Sequence, residues 1–156
     1  MSYVFDCSPL SVLFKNYYRK TFRSLWERFD RLVADGEILS TREVAREIAD
    51  GGPESLGQWA TQHSDIFTTP TAAEGEFIAR IYSVPHFQQN IEVQKILKGG
   101  RNADPFVIAK AAIDKSVVVT MEQLKPNAAK IPNICAHFKV EWRSLEQFME
   151  EQGWEF

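Results

Sequence analysis

The stretch ADPFVIAKAAIDKSVVVTME, residues 103–122, decides the fold. It opens with an acid and a proline, Asp104-Pro105, and continues as an almost wholly apolar helix interrupted by Lys110. A turn is expected at Asp114-Lys115. Val117, Val118 and Val119 then read as a strand too apolar to have a wet face. Helices and strands that are apolar on all sides belong to the middle of a layered α/β domain. Thr120 and Glu122 follow the strand directly, and the C-terminal ends of strands are where open α/β sheets place their ligands.

Toward the N-terminus, Tyr3-Val4-Phe5 reads as a buried first strand ending at Asp6, with Cys7-Ser8-Pro9 turning the chain. Phe22, Leu25, Trp26, Phe29, Leu32 and Val33 have the spacing of an amphipathic helix, closed by Gly36. Ile38-Leu39 is a second, brief strand. Ser40 and Glu43 then form a capping box, Ser40 as N-cap and Glu43 at N3, for a helix carrying Val44, Glu47 and Ile48. Gly51-Gly52-Pro53 stops that helix. Another is expected over 55–63, with Trp59 as its anchor.

A second capping box, Thr71 to Glu74, precedes Phe77, Ile78, Ile81 and Tyr82. Pro85 ends that helix, and one more over 87–97 is closed by Gly99-Gly100. Beyond the central stretch, 131–138 reads as a helix and 140–142 as an edge strand. A final helix over 144–152 turns Leu145, Phe148 and Met149 inward. Strands alternating with helices give an α/β class: a central, mainly parallel sheet with helices on both faces. A length of 156 residues and the absence of repeats make this one domain.

The balance of 44% hydrophobic and 25% charged residues is that of an ordinary globule. No apolar run is long enough for a membrane span, and MSYVFDCSPL lacks a basic start before an apolar signal core. A cytoplasmic location without a membrane role is expected. Cys7 and Cys135 fit no metal-binding spacing, and His63, His86 and His137 share none either. A net charge of −3 disfavours broad nonspecific binding of nucleic acid, while leaving room for a local basic groove.

Four acids stand out, and each has a structural explanation. Asp104 before Pro105 reads, taken alone, as an N-cap with proline at N1. Asp6 suits a turn, Thr120 to Gln123 suits another capping box, and Glu47 suits a solvated helix face beside Arg46. Position argues otherwise. Asp6 and Glu122 both follow apolar β-runs and so reach the same sheet edge, and a helix N-terminus brings Asp104 there. Glu43 is already engaged in a capping box, so Glu47 is the better chemical candidate of the two. Carboxylates gathered at one edge repel one another unless a cation binds, and hard oxygen ligands suit Mg²⁺ or Mn²⁺. Lys95, Lys98 and Arg101 flank Gly99-Gly100 just upstream of Asp104; they fit a phosphate contact as well as a solvated helix end.

The segments VFDCS, STREVAREI, ADPFVIAKA and VVVTME resemble, in this order, the four acidic motifs of PIN-domain nucleases. They are most similar to a bacterial PIN-like group that shares the ADPFVIA and KIPNIC wording. The resemblance spans nearly the whole chain except a variable helical region at about 51–100. The fourth motif departs from the commoner aspartate by offering Glu122. The resemblance implies a three-layer α/β/α PIN-like fold and a Mg²⁺- or Mn²⁺-dependent endoribonuclease hydrolysing RNA phosphodiesters. Asp6, Glu47 and Asp104 would be metal ligands. Glu122 would be catalytic through a second ion or a water, and Ser8 and Thr120 would bond the carboxylates or a water. It also implies the toxin of a toxin–antitoxin pair, with an antitoxin as partner; whether the chain forms a homodimer stays open. The alternative is a non-catalytic PIN-fold binding module that keeps the acids for folding.

Overall fold

In a computed structural model, the structure describes residues 1–97 and 102–156, with the side chains of all of these except 93–97. Lys98 and Arg101, expected near the phosphate, lie outside the described residues, as do the Lys95 side chain and the Gly99-Gly100 stop. Five strands form one sheet: β1 (Tyr3–Phe5), β2 (Ile38–Thr41), β3 (Phe67–Thr68), β4 (Val117–Val119) and β5 (Trp142–Arg143). Their order is β3-β2-β1-β4-β5, and every pairing is parallel. With helices on both sides, the fold is three-layered α/β/α.

β1 and β4 are central and wholly buried, in register as Tyr3↔Val117, Val4↔Val118 and Phe5↔Val119. That is why the valine run has no polar alternation: each residue meets a packed helix layer above or below the sheet. Tyr3 and Phe5 share one face. There Phe148 of α9 (Leu145–Glu151) meets both rings edge-on at 4.8 and 5.1 Å, and Phe29 of α2 (Arg23–Ala34) lies 6.0 Å from Phe5. Right-handed crossovers send the chain leaving β3 for β4 over the opposite face. α7 (Asp104–Asp114) lies there against β1, β2 and β4, covered by α5 (Ala72–Tyr82) and α8 (Ile131–Phe138). Lys110 is the one charged residue in α7's apolar run, and its ammonium reaches Asp114 at 3.1 Å, one turn on.

α2 ends as its sequence requires. Gly36 is left-handed at φ 74°, with Gly36 N–H donating to the Val33 carbonyl and Glu37 N–H to that of Leu32. This paired bonding satisfies carbonyls that the helix end would strand. The Thr71–Glu74 capping box is formed in both directions.

Other boundaries differ from expectation. Cys7-Ser8-Pro9 is the first turn of a helix, α1 (Cys7–Asn16), because a proline in a helix's first turn loses no intrahelical bond. β2 runs on through Ser40, whose hydroxyl donates to the Phe5 carbonyl at 2.8 Å and ties β2 to β1. The N-cap of α3 (Arg42–Gly51) is therefore Thr41, which accepts from Val44 N–H at 3.4 Å, and Glu43 falls one position earlier than N3. Asp104 is the first helical residue of α7 rather than its cap. The cap position is Ala103, and the Asn102 side chain accepts from Asp104 N–H at 3.2 Å. Residues 120–123 start no helix. The edge strand is Trp142–Arg143 instead of 140–142. The remaining helices are α4 (Glu54–Gln62) and α6 (Gln88–Leu97).

Candidate metal centre

The strand order reverses between β1 and β4. Chain leaving β1 goes to β2 and β3 on one side, and chain returning from β3 goes to β4 and β5 on the other. Such a switch point opens a crevice at the strands' C-terminal ends. Asp6 ends β1 there and Thr120 ends β4, their backbones joined across the sheet by Asp6 N–H donating to the Val119 carbonyl at 3.0 Å.

Asp6, Asp104 and Glu122 meet at this crevice, each contributing a carboxylate oxygen within 4.8 Å of the other two. Asp6 is 2% exposed and Asp104 fully buried, so the charge is held out of water. Each acid stands at a helix N-terminus: Asp6 in the N-cap position of α1, Asp104 as the first residue of α7, and Glu122 against α8. Glu122 accepts from Ile131 N–H, the first amide of α8, at 3.0 Å. The positive ends of three helices thus converge on the cluster, each stabilising a negative charge by about 0.3–1 kcal/mol, more where buried.

Side chains fix the carboxylates further. The buried Thr120 hydroxyl donates to Asp6 at 3.3 Å and accepts from Glu122 N–H at 3.1 Å, linking two of the acids. The Asn90 amide donates to Asp104 at 3.0 Å and to the Ala129 carbonyl at 3.1 Å. Asn90 in turn accepts from Tyr82 hydroxyl at 3.0 Å and from the Asn102 amide at 2.7 Å. Burial and the Asp104 charge push the Tyr82 hydroxyl up to about 12, against a small opposing effect of the Asn102 amide. Burial, with Glu122 and Asp104 behind it, likewise raises the Cys135 thiol, which makes it a poor nucleophile.

This donor set fits a small hard cation. Oxygens on opposite sides of one Mg²⁺-sized ion lie about 4.2 Å apart at ligand distances of about 2.1 Å, close to the spread observed. Three carboxylates, two of them buried, without soft donors suit Mg²⁺ or Mn²⁺ better than zinc.

The membership of the cluster differs from the expected one. Glu122 is inside it, and Glu47 does not join it. Glu47 instead lines an adjoining cleft of about 280 Å³ with Cys7, Ser8, Ser11 and Asp50, both its carboxylate oxygens shielded from solvent. Ser8 is exposed at this cleft, while Thr120 is buried beneath the acids. Glu43 sits half-buried at the protein surface and meets Arg42 at 3.1 Å and Arg46 at 3.0 Å. Asn90 and Asn102 were not singled out from the sequence. The one hint was Asn102 two residues ahead of Asp104, where an asparagine side chain caps the amide that follows.

The model of a family described as a domain of unknown function, DUF4411, matches residues 3–156, so the chain belongs to that family. No curated protein matches the chain. No helix among the described residues is long and apolar enough to cross a membrane.

Proposed function

We propose that this DUF4411 chain is a metal-dependent endoribonuclease hydrolysing RNA phosphodiesters, the activity that its resemblance to PIN-domain nucleases implies. The observation that carries the reading is the trio of buried Asp6, buried Asp104 and partly buried Glu122 at the switch point of the sheet. Mg²⁺ or Mn²⁺ held there would neutralise the carboxylates and polarise a phosphodiester oxygen. Asp6 and Asp104 are the principal ligands. Thr120 and Asn90 would keep them oriented by donating to Asp6 Oδ2 and Asp104 Oδ2, as outer groups do in metal sites. Glu122 completes the set from its place against α8. Glu47, beside the neighbouring cleft with Ser8, would orient a water or take a proton from it once the site engages its substrate.

In the same reading the chain is a cytoplasmic toxin silenced by a small antitoxin that covers the acidic crevice. The test is incubation of the pure protein with mixed RNAs, with Mg²⁺, with Mn²⁺ and with chelator. Cleavage by wild type that depends on metal and disappears in Asp104→Asn is expected; equal cleavage in chelator would end the proposal. The second reading, a non-catalytic binding module, draws on the bonds that Thr120 and Asn90 make to the acids, which also serve folding. Metal binding without cleavage of any RNA would select it.

A further inference from the structure

We propose that a second cleft, between α1, α2 and α4, binds an unpaired nucleotide of the RNA, upstream or downstream of the acidic crevice. The inference rests on the nucleic-acid reading above and adds a recognition site to it. The cleft has a volume of about 820 Å³ and lies at the far end of α1 from Asp6. Pockets of a few hundred to about a thousand Å³ hold small planar ligands.

Its chemistry is that of a base and a phosphate together. Half-buried Phe14 and Tyr17 supply aromatic surface over a floor of buried Trp26 and Trp59, and Tyr18 stands at the rim with 64% of its surface exposed. Arg19 lies over the Trp26 ring at 4.1 Å and is fixed by Asp30 at 3.0 Å. Lys20, beside it, is exposed and forms no ion pair among the described residues. Aromatic faces take any base by stacking, and cations alongside take its phosphate.

Trp59, 4% exposed, closes the floor of the cleft. Gln58 and Gln62, a turn apart on α4, offer further amide groups at the same wall.

The two clefts also share a wall. Ser8 and Ser11 face the Glu47 cleft, and Phe14, one turn after Ser11, faces the aromatic one. α1 therefore spans from one to the other, about 15 Å for its ten residues. A strand lying along it reaches both sites at once, whereas duplex RNA, its bases stacked on one another, has no free face to give.

The test uses short oligoadenylate RNA with the full chain in chelator, where cleavage is suppressed, and reads the intrinsic fluorescence of its four tryptophans, of which Trp26 and Trp59 line the cleft. Saturable quenching is expected from single strands and not from the annealed adenylate–uridylate duplex. Tyr18→Ala and Lys20→Ala, both at exposed positions, should each weaken binding about 5- to 100-fold with an unchanged circular dichroism spectrum. No saturable quenching by wild type, equal affinity for duplex, or unaltered affinity in both surface variants would overturn the site. Capture of an acidic peptide in place of RNA would overturn it as well. RNA bound here but never cleaved would retain the site while removing the nuclease reading; cleavage with an unchanged KM in Tyr18→Ala would do the reverse.

Discussion

The N-termini of α3 and α7 carry the same local signal, an acid in the first helical turn, and end in opposite surroundings. Glu43 finds its partners on its own helix, Arg42 and Arg46, at the protein surface. Asp104 finds its neighbours across the molecule: Asp6 from β1, Glu122 from beyond β4, and Asn90 from α6. A surface acid between two arginines contributes about 0–1 kcal/mol per pair to stability and has its charge answered. An acid with no exposed surface, crowded by two others, is tolerable when a helix end, neutral donors and a cation offset the cost. In the proposed reading, the contrast separates a helix start that serves folding from one that would serve chemistry.

Asp104→Asn is the strongest way to break that contrast. It should abolish RNA cleavage, and it should remove the rise in melting temperature that Mg²⁺ or Mn²⁺ gives the wild type. A ligand at a hundred times its Kd adds about 2.7 kcal/mol, roughly 5–10 °C for a chain of this size. An equal metal-induced shift in wild type and variant would place the ion elsewhere. Asn90→Ala comes next. It leaves the acids in place but unholds Asp104, and metal affinity measured by calorimetry should fall about 10- to 100-fold. Unchanged affinity would reduce Asn90 to a packing residue.

Glu47→Gln should slow cleavage while keeping the metal-induced melting shift, because Glu47 lies outside the trio. Losing the shift as well would bring it into the ion's shell. Tyr82 reports the same field from the Asp104 side. Its pKa is raised from 10.0 to about 12, so the fold favours the neutral phenol. That contribution is complete below pH 10 and is lost as pH rises through 12. Chemical denaturation of wild type should show this loss, alongside that of Tyr3, which is raised to about 12 by burial and by Glu151. Tyr82→Phe should remove the Tyr82 part alone. Glu43→Gln closes the series: cleavage unchanged, and stability altered by no more than about 0.5 kcal/mol, as expected of a surface substitution. Lost cleavage in Glu43→Gln but not in Glu47→Gln would invert the comparison.

The centre of the sheet was legible because its evidence is local, whereas β3, two residues long, carries no such signal and was not expected. Valine runs, glycine stops and capping residues carry their meaning within a few positions, and β1, β4, α8 and the Thr71 box came out where the pattern put them. Two misplacements share one cause. Ser40 and Asp104 have side chains that suit a cap, but tertiary partners took both: the Phe5 carbonyl claimed Ser40, and Asn90 claimed Asp104. α1 was hidden by a proline that reads as a turn and is harmless in a first helical turn. Within the site, Asp6 and Asp104 were readable from their places at element ends. Glu122 looked peripheral because its reach to Ile131 spans a loop whose path the sequence does not state. Asn90 has no local signature at all; its role exists only once α6 is laid beside α7.

The two outermost strands, β3 and β5, have two residues each. A sheet edge of ordinary length presents a row of open amides and carbonyls on which another chain can template itself. Here each border offers scarcely one such pair of groups before the chain turns away. Strand addition, whether by a neighbour in a growing fibril or by an extended peptide, has almost nothing to register against. Association through the sheet borders is therefore disfavoured, in contrast to a fold whose edge strands are long.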